Sequence, residues 1–197
     1  GASVSALHGF NKARGAESEK KSVAVIGDST FIHSGITSLI DIAYNQSNSL
    51  VLILDNSITG MTGQQQNPTT GKTIRGDVTT AVDLEALCHA IGIKRVRVID
   101  PYNLKETRAA IREELAAEEP SVIISRRPCA LLKTVKHNPP LHVVPEKCVG
   151  CTACMGIGCP AISMRNGKAE IDQTQCVGCD VCTELCHSNA IVKREEQ

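Results

Sequence analysis

Eight of the ten cysteines lie in two short blocks near the C-terminal end of the 197-residue chain. The first block, CVGCTACMGIGCPAI, has the spacing C-x2-C-x2-C-x4-C and ends at Ile162. The second block, CVGCDVCTELCHSNAI, has the spacing C-x2-C-x2-C-x3-C and ends at Ile191. Three thiolates spaced three residues apart can surround one side of a metal cluster, and a fourth can reach it from further along the chain. The two blocks therefore indicate an internal repeat that binds metal.

The spacing favours iron–sulfur clusters over structural zinc, which is the alternative. Zinc takes four ligands, usually from two separated C-x2-C pairs, and two triplets with distal cysteines fit that arrangement poorly. In bacterial-type ferredoxins with two clusters, which the segment 141–197 resembles, the fourth cysteine of each block binds the other cluster. This crossed pattern predicts two 4Fe–4S clusters, one bound by Cys148, Cys151, Cys154 and Cys186 and the other by Cys176, Cys179, Cys182 and Cys159.

The blocks depart from the ferredoxin pattern at two places. The first block has one extra residue before its last cysteine, and Gly156 and Gly158 give the loop freedom to accommodate it. In the second block His187 stands where proline is usual. A histidine here could donate a hydrogen bond near a cluster sulfur and raise the reduction potential, or it could be a solvated surface residue.

The composition excludes several classes of partner. The chain has 21 basic and 21 acidic residues, so nothing indicates a nucleic-acid groove or a basic membrane patch. No apolar run is long enough for a transmembrane helix, and the first residues, GASVSALHGFNKARG, lack the pattern of a signal peptide. Cysteines spaced as metal ligands fit a reducing compartment. We therefore expect a cytoplasmic protein that binds neither nucleic acid nor a membrane.

Strands and helices alternate along the first 125 residues of the sequence. The strands read as continuous apolar runs, and the helices show apolar residues at helical spacing. This combination predicts an α/β fold with a parallel sheet covered by helices on both faces. The predicted strands are Ser22–Gly27, Ser49–Asn56, Arg95–Asp100 and Ser121–Ser125, and the predicted helices are His33–Gln46, Val82–Ile91 and Asn103–Glu119.

Polar residues follow the first two predicted strands. Gly27 and Asp28 end the first strand, and Asn56 ends the second. Because parallel strands end at the same edge of a sheet, the two side chains should converge there. With the carbonyl of Ile58 and two diphosphate oxygens they would form a magnesium site of the kind that relies on substrate phosphates. A helix that starts near Ser34 would offer amides to the phosphates. The alternative is a plain turn with no ligand.

The same residues resemble the thiamine-diphosphate-binding motif, in which Gly-Asp precedes Asn by 25–30 residues; Ser29 stands where that motif usually has glycine. The order of motifs is similar to that of the α subunits of the indolepyruvate:ferredoxin oxidoreductase family, in their C-terminal third. The resemblance covers essentially the whole chain. The quoted segments that carry it are VAVIGDSTFIHSGITSLIDIAYNQSNSLVLILDNSITGMTGQQQNPTTG, RVIDPYNLKETRAAIREEL and EEPSVIISRRPCALL, followed by the cysteine blocks.

The resemblance implies a reaction. An aryl pyruvate such as indolepyruvate is oxidatively decarboxylated with thiamine diphosphate and Mg²⁺, yielding acyl-CoA and carbon dioxide. Electrons pass through two 4Fe–4S clusters to ferredoxin, and a small partner (β) subunit completes the enzyme, in an anaerobe. The alternatives are another 2-oxoacid:ferredoxin oxidoreductase, of the pyruvate or 2-oxoglutarate type, and a non-catalytic electron-transfer module.

The resemblance also implies roles for individual residues. Asp28, Asn56 and the carbonyl of Ile58 would bind Mg²⁺, and His33 could face the reacting centre, although a histidine that only caps or packs is the competing interpretation. The residues expected at the cofactor are Gly27, Asp28, Ser29, Thr30, Asn56, Ile58, Thr62 and Gly63.

Three segments are expected along the chain. Residues 1–128 form a thiamine-diphosphate- and magnesium-binding domain of the pyrophosphate type, 129–140 form a linker, and 141–197 form a small α+β ferredoxin-like domain. In the third segment Asn166-Gly167 predicts a β-hairpin. Thiamine enzymes need a second domain, with a glutamate that activates the aminopyrimidine ring, and it is not visible here. We therefore expect the chain to be part of a longer subunit.

Overall fold

The computed structural model describes residues 1–193. The chain divides into two compact units, and the division falls after Cys129. Within the described residues no helix is both long enough and apolar enough to cross a membrane.

The first unit contains a four-stranded parallel sheet with the strand order β1-β2-β4-β3. The predicted parallel sheet is therefore confirmed. In the register, Gly27 lies beside Leu54, and Asp55 lies beside Arg126, so the carboxyl ends of β1, β2 and β4 meet at one edge. The strands are β1 (Val23–Gly27), β2 (Leu50–Asp55), β3 (Arg95–Ile99) and β4 (Ser121–Arg126).

Helices cover both faces of this sheet, as predicted. On one face α1, α3 and α4 pack against alternate residues of β1, β2 and β4, including the fully buried Val51 and Ile53. On the other face α5 packs through Ala110 against Ile123. The part of that face nearest β1 is more open, and the side chains of Val25 and Leu54 are 47% and 42% exposed. The helices are α1 (Ala2–Arg14), α2 (Asp28–Thr30), α3 (Ile36–Tyr44), α4 (Leu84–Ile91) and α5 (Leu104–Ala116).

The helix after β1 begins earlier than predicted. The sequence pattern indicated a start at His33, with amides near Ser34, but helical structure begins at Asp28 and continues through a π-helical segment, Phe31–Gly35, into α3. The early turns are mostly polar, so apolar spacing revealed only the later part of the helix. Gly35 permits close packing of the π segment, since an added Cβ would lie 2.8 Å from side-chain atoms of Ile26 and Phe31.

The second unit has short strands and many turns. Its strands form two antiparallel pairs, β5 with β8 and β6 with β7. The turn between β6 and β7 has positive φ at Asn166 (50°) and Gly167 (76°), as a two-residue hairpin turn requires, which confirms the predicted hairpin. The strands are β5 (Leu141–Val143), β6 (Ile162–Arg165), β7 (Lys168–Ile171) and β8 (Ile191–Lys193).

Candidate functional site

Asp28 lies at the carboxyl edge of the sheet and is only 3% exposed. Its Oδ1 accepts a hydrogen bond from the backbone N–H of Ser29 at 2.7 Å, whereas Oδ2 is buried and has no hydrogen-bond partner among residues 1–193. Burial raises the pKa of this carboxyl; the amide of Ser29 opposes the shift, and the charge of Asp55 adds to it. A buried carboxylate oxygen without a partner is costly unless it meets a cation. Asp28 therefore fits a magnesium ligand.

Two consecutive turns follow β2 at the same edge. Asp55 Oδ1 accepts a hydrogen bond from the N–H of Ser57, and Asn56 Oδ1 accepts one from the N–H of Ile58, each at 3.1 Å. Ser57 takes a left-handed conformation with φ 60°. These side-chain-to-backbone bonds fix the path of the chain as it leaves the strand. They hold Asn56 and Ile58 beside the edge at which Asp28 lies.

The loop after these turns is tied to the start of α2 by polar side chains. Thr59 Oγ1 donates a hydrogen bond to Ser29 Oγ at 3.1 Å, and Asn67 Nδ2 lies 3.5 Å from Thr59 Oγ1. Asn67 is 7% exposed, and its side chain lies near enough to Asp28 to oppose part of the rise in the pKa that burial causes. Sequence reasoning missed Thr59 and Asn67. Their only signal was a run of polar residues in a loop that follows a predicted metal ligand.

The other expected cofactor residues have more open positions. Ser29 is half-buried and Thr30 is exposed at the start of the helix. A Cβ added at Gly27 would meet no atom within 4 Å, so open space lies in front of this backbone. Thr62 and Gly63 lie on the exposed loop beyond Thr59, where Thr62 Oγ1 donates to Gln65 at 2.7 Å.

His33 is exposed in the π segment. It does not share the burial of Asp28.

Two arginines, Arg126 and Arg127, also lie at this edge of the sheet. Arg126 is the last residue of β4, and its Nε donates to Asp55 Oδ2 at 2.7 Å. Arg127 forms an ion pair with Asp100 and stacks over Tyr102, with 3.9 Å between the guanidinium carbon and the ring centroid. The pairing with Arg126 offsets the charge of Asp55, the carboxylate that faces Asp28. Sequence reasoning missed this contact because its partners are 71 residues apart.

The second unit groups its cysteines into two sets. Four line a common cavity together with residues of β6, β7 and β8: Cys148, Cys151, Cys154 and Cys186. The other set surrounds Cys182, where burial raises the pKa to about 12 and the neighbouring thiolates of Cys179, Cys176 and Cys159 add to the shift. The two sets have the same members as the crossed sets expected from the sequence, and their role as cluster ligands stays a prediction.

Across residues 1–193 no three or more His, Cys, Asp or Glu side chains are grouped closely enough to hold a single metal ion. Backbone amides point at several of the cysteine sulfurs, including Ala169 N–H to Cys148 Sγ at 3.4 Å and Ala190 N–H to Cys186 Sγ at 3.2 Å. Such donors favour the thiolate form that cluster binding needs.

Comparisons with known proteins agree with the fold of the first unit. Residues 1–125 match the family described as thiamine pyrophosphate enzyme, C-terminal TPP binding domain, and the chain belongs to that family. This confirms the resemblance to thiamine-diphosphate enzymes found in the sequence. All of the chain aligns with indolepyruvate oxidoreductase subunit IorA of Thermococcus kodakarensis at 40% identity, and it covers 33% of that relative. The chain thus spans about a third of the length of the curated relatives it matches most fully.

Two further proteins are similar to parts of the chain. Pyruvate synthase subunit PorD of Methanocaldococcus jannaschii is 42% identical over 55 residues, which are 26% of this chain and 63% of PorD. A solved structure of 2-oxoglutarate:ferredoxin oxidoreductase from Magnetococcus marinus has the same fold, with a TM-score of 0.57. That likeness covers 67% of this chain and 46% of the other, at 18% identity.

Proposed function

We propose that this chain supplies the diphosphate-binding and electron-transfer parts of an indolepyruvate:ferredoxin oxidoreductase. The observation that carries the proposal is the buried, unpartnered Oδ2 of Asp28 beside the two turns after β2. A sheet edge that served only as scaffold would have no use for an unpaired carboxylate oxygen there. The relatives named IorA support the reaction class.

In this proposal Asp28, Asn56 and the carbonyl of Ile58 bind Mg²⁺. Ser29, Thr30 and the backbone at Gly27 would hold the diphosphate at the beginning of α2, where a helix N-terminus favours an anion. Thiamine diphosphate, when bound, supplies the electron sink for decarboxylation. Thr59 and Asn67 hold the loop that carries Thr62 and Gly63 close to the start of α2.

The cysteine unit, 141–197, is proposed to be a ferredoxin-like domain with two 4Fe–4S clusters in the crossed arrangement. It would release the two electrons of each decarboxylation one at a time to an external ferredoxin. The grouping of thiols around one cavity and around Cys182 supports this role. Anaerobic reconstitution should load about eight iron and eight sulfide per chain. Two tightly bound zinc ions with almost no iron would contradict it.

Catalysis requires more than the residues described here. Alignment of substrate, cofactor and electron acceptor in one geometry can contribute roughly 7–11 kcal/mol to lowering a barrier, and half of a cofactor site cannot supply it. We therefore propose that the active enzyme includes a further domain that holds the aminopyrimidine ring and a small partner subunit. Its substrates would be an aryl pyruvate and coenzyme A, and it would act in the cytoplasm.

The test assembles the full-length subunit with the small partner subunit. The readout is reduction of ferredoxin or a viologen dye that depends on indolepyruvate and coenzyme A. Asp28→Ala should abolish it, while Asp41→Ala, at an exposed position on α3, should leave it unchanged. Activity with pyruvate but not with aryl pyruvates would move the assignment to the pyruvate type. Loaded clusters with no 2-oxoacid activity would identify an electron-transfer module instead.

A further inference from the structure

The two cysteine blocks of the second unit are built alike around their first cysteine. Ala169 N–H donates to Cys148 Sγ, and Leu141 N–H donates to Cys176 Sγ, both at 3.4 Å. The glycine of each C-V-G-C run has positive φ, and a backbone carbonyl lies 2.4 Å or 2.5 Å from where its Cβ would be. Residues 28 apart in sequence therefore occupy equivalent places in the two halves. Where equivalent residues differ in charge or hydrogen bonding, the surroundings of the two proposed clusters differ as well.

The first difference is a positive charge. Lys168 directly precedes the amide donor Ala169, and its Nζ donates to the backbone carbonyl of Cys148. The equivalent residue in the other half is Pro140, which precedes Leu141 and carries no charge. The ammonium group is therefore fixed next to a ligand of only one of the two proposed clusters.

The second difference is a negative charge. Thr152 and Asp180 are equivalent, and both take the left-handed conformation, with φ 61° and 63°. Asp180 adjoins Cys179 and has one buried oxygen, Oδ1, with no hydrogen-bond partner in the described part of the chain. Its other oxygen pairs with Lys193 at 2.7 Å. Because Lys193 is 71% exposed, solvent screens its charge and it offsets the carboxylate only in part. Asp180 thus leaves net negative charge beside the second set of cysteines, where the first set has a neutral hydroxyl.

The third difference follows the last cysteine of each block. Three residues separate Cys186 from Ala190, whereas one residue separates Cys159 from Ala161. The longer segment brings Ser188 Oγ to 3.7 Å from Cys186 Sγ, in addition to the amide of Ala190 at 3.2 Å. Hydrogen bonds to cluster sulfurs stabilise the more negative, reduced state. Cys186 belongs to the same proposed cluster as Cys148.

From these three differences we infer that the cluster bound by Cys148, Cys151, Cys154 and Cys186 has the higher reduction potential and takes the first electron. Reduction adds a negative charge, so a fixed cation and added hydrogen-bond donors favour it, and a fixed carboxylate opposes it. Lys168 and Ser188 raise the potential of the first cluster, and Asp180 lowers that of the second. This inference rests on the proposed presence of two 4Fe–4S clusters.

The test is a potentiometric titration of the assembled protein, followed by electron paramagnetic resonance. Two midpoints are expected. Lys168→Gln should lower the higher midpoint and leave the lower one in place, and Asp180→Asn should raise the lower midpoint alone. Asparagine suits position 180 because it tolerates the positive φ found there. The matched control is Arg165→Gln, which removes a cation from the same hairpin at a side chain 76% exposed, and it should shift neither midpoint.

Three further variants, at two positions, sharpen the test. Thr152→Asp should lower the higher midpoint, whereas Thr152→Asn should not, and Pro140→Lys should raise the lower midpoint. If Lys168→Gln loads no clusters, these variants still test whether the local charges set the two midpoints. Coincident midpoints in the unmodified protein, or a shift of the lower midpoint by Lys168→Gln, would overturn the inference while leaving the two clusters established. Iron and sulfide well below eight per chain in the unmodified protein would instead overturn the proposed clusters, and the inference with them.

Discussion

The two units build their sites in opposite ways. In the first unit, Asp28 follows β1, Asp55 ends β2 and Arg126 ends β4, and they meet because parallel strands of one sheet end together. Apolar clusters on both faces of that sheet hold the strands without help from the site. In the second unit the thiols are themselves part of the core, where Cys148, Cys154 and Cys182 are buried among a few aliphatic residues. The first site can therefore form without a ligand, whereas the stability of the second unit should depend on the proposed clusters.

Removal of iron should make the largest difference between the units. Anaerobic chelation should unfold the second unit, because metal binding and folding are one event when ligands form the core. Hydrogen exchange followed by mass spectrometry should show lost protection in β6 and β7 and unchanged protection in β2 and β4. Equal protection of β6 and β7 before and after chelation would contradict the comparison. Selective removal of Mg²⁺ should leave both pairs of strands protected.

The next largest effects are expected from substitutions of single predicted ligands, each of which should impair only its own unit. In the assembled enzyme, Asp28→Ala should abolish Mg²⁺-dependent binding of thiamine diphosphate and leave the iron content intact. Cys151→Ala should have the reverse effect, with one cluster lost, the other damaged through the crossed ligands, and cofactor binding preserved. Isothermal titration calorimetry and iron analysis measure the two quantities. Cofactor affinity that is the same in Asp28→Ala and the unmodified protein would refute the role of Asp28.

A smaller effect is expected from Arg126→Gln. Loss of the bond to the buried Asp55 should destabilise the first unit by about 1–3 kcal/mol and weaken cofactor binding through the loosened turn. The expected loss of stability is modest because the side chain of Arg126 is 41% exposed and solvent partly screens its charge. Chemical denaturation provides the measurement. Lys20→Gln, which breaks an exposed pair with Glu118, should cost less than about 1 kcal/mol. Similar costs for the two variants would show that Arg126 is only a surface residue.

The effect that is smallest near neutral pH concerns Cys88 on α4, which is fully buried. Burial, with a contribution from Asp83, raises its pKa from 9.0 to about 12. The unfolded thiol ionises first as pH rises, so this residue lowers the stability of the first unit progressively between pH 9 and pH 12. Alkylation by iodoacetamide at pH 8 should be negligible in the folded unit and rapid after denaturation. Rapid labelling of the folded unit would show that α4 opens readily.

The sequence revealed those parts of the first unit that have a local signal. The strands β1, β2 and β4 were predictable because buried parallel strands are continuous apolar runs, and Asp28 and Asn56 were identified because they follow such runs. The pairing of Arg126 with Asp55 depends on the position of β4 next to β2 in the strand order, which no local pattern encodes. The same holds for Asn67, whose burial results from the folding of a loop rather than from its neighbours in sequence.

In the second unit the candidate ligands were easier to recognise from the sequence than the contacts that surround them. Cysteine spacing is a strong local signal, and the hairpin turn at Asn166 and Gly167 is another. The contacts that distinguish the two halves, such as Lys168 with Cys148, join residues 20 apart and needed the structure.

The π segment after β1 has a consequence for the phasing of the helix that contains it. A regular α-helix rotates by about 100° for each residue, so one residue added to a turn changes the direction in which every later side chain points. The polar start at Asp28 can therefore be aimed at the sheet edge while Leu39 and Ile42 remain aimed at the core. Without the π segment, the direction of the core-facing side chains would fix the direction of the polar residues at the start of the helix. Phe31–Gly35 thus acts as a phase adjustment between a binding surface and a packing surface on a single helix.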